Sequence, residues 1–547
     1  MKDKLFIFKK AYSLEAPGHY YEAVITDAAG FIKKTLSPQE TAAIRRSTNS
    51  GLIEVDFSDH YCLPGFFDSH THMMTTGYNL MAVRFEHCRS IGEICELLSM
   101  EIDKNKTVGA GGKTSVVTAF GSLVAGHGFD ETNLAEKRMP TRADLDSVSR
   151  EVPIFISRVD HHSCVFNGAF VDLFPAFFSR LDKSAVETGI LRQAPNYEIK
   201  GKLIAGFDFR VRRSAYEAAE KNAIEAGVTS MCALEGGAIS AVEDVFFIDK
   251  MLRDKIIKLN LILFCQSADF SNVEVLGLPR IGGCLLVDGS FGSKTAALSS
   301  PYENDGGNCG ALYLNEDFLV PFIQKASDKN LQTAFHAIGD TAIKTLLDSY
   351  EKVFKRRGWR LKNYLRHRIE HFELASDADI KRAADMGIIL SMQPVFETLW
   401  GGASGMYAER LGARRAFKTN RFNTIIKAGG IIAGGSDSDV TSVSPLAGIS
   451  ALLNLPNENE RVGIYDAVSM FTINGAYANF MERTHGSIAL NKRADFTIID
   501  KDIFNAAPSE IKDIKIAASV IGGEIKHLSG GKLKYFAGGE VKYIAGV

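Results

Sequence analysis

Between residues 331 and 439 the chain alternates short apolar runs with stretches whose apolar residues recur every three or four positions. TAFHAIG is followed by the amphipathic TAIKTLLDSYEKVFKRR, RHRIEHF by SDADIKRAADMG, and IILSMQPVF, after a longer link, by IIAGGSDSD. An uninterrupted apolar run suits a strand covered on both faces, and a period near 3.6 suits a helix laid against it. The pattern therefore predicts consecutive βα units on a parallel sheet. Earlier in the chain, residues 227–234 (GVTSMCAL), 258–266 (KLNLILFCQ) and 283–289 (GCLLVDG) read as three more such strands, and residues 66–72 as the first. The total is eight, the number that closes a (β/α)8 TIM barrel.

This α/β reading leaves three segments outside the alternation. Residues 1–62 and 485–547 are patterned as short β segments (KLFIFKKAYS, YYEAVITDAAG; ADFTIIDKD, KIAASVIGGEIKHL, KLKYFAGGEVKYIAG). Each is too small to bury a good core alone, so the two termini are expected to pair in one small β-sandwich domain beside a barrel of residues 63–484. The block at about residues 74–220 separates the first strand from the second. It has strand-like pieces of its own (KTSVVTAFGS, VPIFISRVD) and is expected to form an insertion subdomain.

Composition narrows the partners. A formal net charge of −2, with 46% hydrophobic and 23% charged residues, provides no bulk field for nucleic acid or an anionic membrane, which leaves a small molecule as the expected partner. Lys9 and Lys10 interrupt the apolar stretch at the N-terminus, so no signal-peptide core is expected there. No apolar run approaches the ~20 residues of a membrane span. The expected location is the cytoplasm, and a homodimer is compatible with the sequence. Eight cysteines without a C-x-x-C pair argue against a disulfide framework or a thiolate zinc finger and read mostly as small buried hydrophobes.

His70 and His72 lie two apart at the end of the first strand, so both side chains share one face and together can chelate a divalent ion. By itself an H-x-H is also an ordinary polar strand exit. The recurrence decides between the two readings: His336 closes TAFHA, His371 closes RHRIEH, and Asp437 closes IIAGGSD. In a parallel barrel all strand C-termini open on one rim, so these five residues can converge although far apart in sequence. Imidazoles with one carboxylate suit a divalent transition metal, zinc foremost, rather than calcium.

The set LPGFFDSHTH, FHAIGD, RIEH and GGSD resembles the amidohydrolase superfamily. The stretches GHGFDETNLAEKRMPTRADLDSVSREVPIFISRVDHHSCVFN and VDGSFGSKTAAL are similar to its family-3 group, as is the C-terminal GSIALNKRADFTIIDKD. The resemblance implies that His70, His72 and Asp437 hold one metal and His336 and His371 a second, giving one or two ions per chain. It also implies a metal-dependent hydrolase that attacks an amide or N-acyl C–N bond of a small molecule with metal-bound hydroxide. Asp437 would take the proton from water and pass it to the leaving nitrogen. A deaminase of an aminated heterocycle and a non-catalytic regulatory relative are the alternative readings. His162, Asp288 and Lys294 fall at positions the resemblance makes substrate-facing, with His161 standing where the family has Gly and Lys294 where it often has Arg. Phe396 and Trp400 are candidates for an apolar pocket wall or for core.

One departure matters more. Four residues before the D-G-S turn the family commonly carries a lysine that bridges two metals, and here that position is Cys284. Two outcomes are open: a thiolate that bridges in its place, or a small buried residue beside a single ion.

Overall fold

The computed structural model describes residues 2–46, 51–108, 114–159, 163–237, 240–358, 363–530, 532–537 and 540–545. Eight parallel strands form its central sheet: β1 (Phe66–Thr71), β2 (Val228–Glu235), β3 (Asn260–Cys265), β4 (Arg280–Leu286), β5 (Gln332–Ala337), β6 (Arg368–His371), β7 (Ile389–Met392) and β8 (Ile431–Gly434). Each strand pairs with its neighbour in chain order. The last returns to the first just beyond their ends, where Thr71 bridges Ser438, the His72 amide donates to Ser438 O (2.6 Å) and the Asp437 amide to His70 O (2.8 Å). The barrel is thus nearly closed, and the closing seam carries three of the residues singled out by the sequence. The covering helices follow the predicted period. In the helix Asp340–Arg356, residues Ile343, Leu346, Leu347, Tyr350, Val353 and Phe354 are buried, one stripe at helical spacing.

Strands from both termini join in one nine-stranded sheet. Its hub is the long strand Ile53–Pro64, which runs parallel to Lys4–Tyr12 and antiparallel to Phe496–Ile499. Alternation sorts the side chains: Phe6 and Phe8 pack with Phe57, Phe496 and Val520, while Leu5 and Ile7 pack with Ala23 and Leu36.

Residues Met73–Ala219 together with Gly236–Phe247 form a second compact unit. It holds a five-stranded sheet of Val83–Arg84, Val124–Phe129, Ile154–Arg158, Ser163–Phe166 and Ile190–Arg192 around a core that includes Ile94, Leu98, Phe129 and Ile156. Among the described residues of KTSVVTAFGS, which begin at Thr114, the strand is Thr114–Val116, paired antiparallel with Lys106–Val108. The rest turns back on itself through bridges Thr118 to Gly121 and Phe120 to Leu123, with Gly121 at φ +78°. Among the described residues no helix is long and apolar enough to cross a membrane.

Gly435, between β8 and Asp437, shows how tight the seam is. A Cβ there would lie 2.7 Å from His70 N and 2.8 Å from His70 Cβ, and backbone cannot yield as a flexible side chain would. Gly435→Ala is therefore expected to cost about 1–3 kcal/mol and to lower metal uptake by moving His70. Thermal unfolding and metal analysis test this, and a variant matching the parent in both would show that the seam can relax.

Candidate metal centre

The side chains gather at the C-terminal rim by two different means. On β1 simple alternation places Asp68, His70 and His72 on one face, and β5 brings His336 by the same rule. Cys284, His371 and Asp437 depend instead on left-handed backbone, at φ +72°, +73° and +52°. For residues with a Cβ this conformation costs roughly 1–2 kcal/mol each, so something must hold it. At Cys284 it is a bulge: Gly282 and Gly283 also have positive φ, the β4–β5 register slips between Ile281 and Leu285, and Gln266 Nε2 donates to Cys284 O at 2.8 Å. Gly282 is required there, because a Cβ would stand 2.6 Å from Ala334 O. Asp437 is clamped by its own N–H on His70 O and by the Val440 N–H on its carbonyl (2.7 Å), and the turn after His371 by the Phe372 amide on Ala337 O (3.1 Å). Strain concentrated on three converging side chains is a mark of a functional site.

Every histidine is anchored through one nitrogen to an acceptor. His70 Nδ1 donates to Glu370 Oε2 (2.7 Å), His72 Nδ1 to Leu234 O (2.9 Å), His371 Nδ1 to Gln393 Oε1 (2.8 Å) and His336 Nε2 to Gly289 O (3.0 Å). When the ring is neutral, the opposite nitrogen of each is thereby the one that carries the lone pair. Around it stand the remaining donors: Asp437 Oδ1 lies 3.1 Å from His70 Nε2 and 3.2 Å from His72 Nε2, and Cys284 Sγ lies 3.8 Å from His371 Nε2. Three buried triads have ligand atoms within 4.8 Å of one another: His70, His72 and Cys284; Cys284, His336 and His371; His70, His371 and Asp437. Cys284 belongs to two of them and so sits where the two halves of the predicted ligand set meet.

Electrostatics tie the members of this cluster to one another. Burial resists every charge in it, yet Asp437 and Cys284 hold His70 well above the ordinary imidazole value and His72 up to about 10, and Cys284 helps to bring His336 to about 9. Conversely, the histidines overcome burial and hold the Cys284 thiol and the Asp437 carboxyl well below their usual ranges. Burial and the neighbouring His336 push His371 down. The thiol and the carboxyl thus favour positive charge beside them, and the imidazoles favour negative charge, so each charge in the cluster depends on the others.

The residues also fit a metal by their contacts. His70 Nε2 is fully buried and has no properly aligned hydrogen-bond partner, although Asp437 Oδ1 is close. The mixed nitrogen, sulfur and oxygen donors suit a transition ion.

Two of the three substrate-facing expectations look different in space. Asp288 is fully buried, and its carboxylate accepts the amides of Ile338 (3.0 Å), Gly339 (2.8 Å) and Ala297 (2.8 Å). Burial raises it to about 6, and His336 Nε2 is 3.7 Å away. Its oxygens are committed to fixing the loops after β4 and β5, a backbone role that the sequence could not separate from substrate contact. Lys294 pairs with Asp305 at 2.9 Å. His162 lies outside the described residues. Phe396 stacks on His371 (6.1 Å, 10°), with Trp400 against it at 4.7 Å. Sequence reading missed Glu370, Gln393 and Gln266, the groups that orient His70, His371 and Cys284. The signal for Glu370 was present, a carboxylate beside His371 at an inward position of β6.

A nearly closed parallel barrel with a buried His/Cys/Asp cluster at its C-terminal rim defines a metal-dependent hydrolase architecture. The chain belongs to the amidohydrolase family, whose model matches residues 54–527. It is 26% identical to the YtcJ protein of Bacillus subtilis over 546 residues, covering 94% of this chain and 97% of that one. It is 22% identical to the N-substituted formamide deformylase of Arthrobacter pascens over 510 residues, covering 86% and 89%. The crystal structure of an uncharacterized metal-dependent hydrolase from Pyrococcus furiosus superposes with a TM-score of 0.75 at 25% identity, over 92% of this chain and all of that one.

Proposed function

We propose that the protein hydrolyses an amide or N-acyl C–N bond in a small molecule, with one or two divalent ions, zinc foremost, that His70, His72, Cys284, His336, His371 and Asp437 would hold. The observation that carries this reading is the pair of triads that share Cys284, one with His70 and His72 and the other with His336 and His371. When bound, the ions supply Lewis acidity toward water and toward the scissile carbonyl. The chain supplies the rest. The side chains of Asp437 and His336 are 9% and 10% exposed, whereas those of His70 and His72 are 0% and 2%, so substrate approaches from the Asp437 and His336 side. Asp437 then takes a proton from water and returns it to the departing nitrogen, which leaves as the neutral amine. The likeness to an N-substituted formamide deformylase supports an N-acyl substrate over an aminated ring. Phe396 and Trp400 line the approach beside His371, and Lys294 stands ready for a substrate anion if it leaves Asp305. In this reading residues 63–484 are the hydrolase domain, with the insertion at about 74–220, and residues 1–62 and 485–547 a companion β domain.

Metal analysis of the purified protein, followed by a panel of N-acyl amino acids, N-formyl amines and aminated heterocycles, tests the proposal. Release of amine with carboxylic acid is the expected result, and release of ammonia from a heterocycle would replace it with deamination. In the same assays His70→Ala and His336→Ala are expected to keep the fold and lose both metal and turnover. Full metal and full turnover in either variant would overturn the ligand assignment.

A further inference from the structure

Beneath the candidate metal centre the barrel interior holds two opposite charges. Arg368 and Glu370, two apart on β6 and so on one face, are both 0% exposed. Arg368 Nε donates to Glu370 Oε1 and Nη2 to Glu370 Oε2, each at 2.8 Å. Nη2 also reaches Ser69 O (2.6 Å) and Ser391 Oγ (3.0 Å), and the guanidinium lies 5.0 Å from the centre of the Phe264 ring. A barrel centre is ordinarily filled with branched apolar side chains, and burying an ion pair there is often no more stabilising than an apolar replacement. Stability alone therefore does not account for the pair. It does have one contact with the metal centre, since Glu370 Oε2 also accepts from His70 Nδ1 at 2.7 Å.

We propose that Arg368 and Glu370 are a positioning pair for His70: Glu370 fixes the Nδ1–H tautomer and so leaves Nε2 as the donor toward the metal, while Arg368, gripping both carboxylate oxygens, holds Glu370 pointed at the ring. This rests on the reading of His70 as a metal ligand. The hydrogen-bond count makes the arrangement exacting. Three N–H groups, Arg368 Nε, Arg368 Nη2 and His70 Nδ1, converge on two carboxylate oxygens, which can accept all of them. A glutamine of the same shape has one acceptor oxygen and an NH2. With its NH2 at the Oε1 place it meets the Arg368 Nε–H and loosens the grip on the side chain; with its NH2 at the Oε2 place it faces Arg368 Nη2 and His70, which must then accept at Nδ1 and carry its proton on Nε2, where it blocks coordination.

Glu370→Gln is therefore expected to remain folded by circular dichroism and to bind Zn2+ about 10- to 100-fold more weakly in chelator competition, with a changed electronic spectrum when Co2+ is substituted. Glu370→Asp, which keeps the charge and both acceptors, should recover part of the affinity. A purely structural pair would instead lower the melting temperature of the metal-free protein and leave the Zn2+ affinity of the folded fraction unchanged. Folded Glu370→Gln with parental affinity overturns the proposal. If that variant does not fold, Arg368→Lys decides in its place: it keeps the cation but loses the two-point grip, and parental Zn2+ affinity there is equally fatal. Failure of the underlying reading looks different, because the parent protein would then bind no Zn2+ or His70→Ala would bind it as tightly.

Discussion

Asp437→Asn is expected to retain the barrel and its backbone seam while kcat falls by about 10²- to 10⁴-fold, with KM little changed. The backbone should tolerate the change, because Asp437 sits at φ +52° and asparagine is among the few residues that adopt left-handed backbone readily. The seam hydrogen bonds also come from the main chain, the Asp437 N–H to His70 O and the Val440 N–H to Asp437 O. What is lost is chemical. The neutral amide can neither take a proton from water nor carry one to the leaving nitrogen, and it removes the charge that faces His70 Nε2 and His72 Nε2 at 3.1 and 3.2 Å. Steady-state kinetics decide the matter: a loss confined to KM would move Asp437 from proton transfer to substrate binding.

Cys284→Ser is expected to lower the metal bound per chain sharply without unfolding the protein. Serine is slightly smaller and equally disfavoured at φ +72°, and the Gln266 hydrogen bond goes to the backbone carbonyl, so the substitution isolates the sulfur. Burial opposes ionisation of this thiol, but His70, His336 and His371 hold it well below its usual range, so it would be available to a metal as thiolate. A hydroxyl would not be. Anomalous diffraction from metal-loaded crystals should place the sulfur about 2.3 Å from zinc. A metal-replete structure with that sulfur well outside bonding distance, or a serine variant with full metal content, would make Cys284 a core residue of the cluster that also holds Phe264 and Leu234.

The architecture was largely written in local patterning. Apolar runs of strand length alternating with stripes of helical period specify parallel βα units because each element must hide its apolar face against a neighbour. Counting such runs located all eight barrel strands. His70, His72, His336, His371 and Asp437 were legible as candidates for a related reason: the C-terminal ends of parallel strands all lie at the common rim. Cys284 was singled out only through the family resemblance, at the position four residues before Asp288 where that family commonly carries a lysine.

What the sequence did not contain were the consequences of contact between segments remote along the chain. That Asp288 spends its carboxylate on the amides of Ala297, Ile338 and Gly339, and that Lys294 turns to Asp305, depends on loops whose paths no local pattern encodes. The same holds for the oriented histidines, since Glu370 meets His70 across 300 residues of sequence and Gln266 reaches the Cys284 carbonyl from the neighbouring strand. Residue type and periodicity determine which side chains reach the rim, because they act over one turn or one strand. Which nitrogen of each ring faces the ion, and which backbone is bent to bring Cys284, His371 and Asp437 inward, is decided only when closure of the barrel brings the strands into contact.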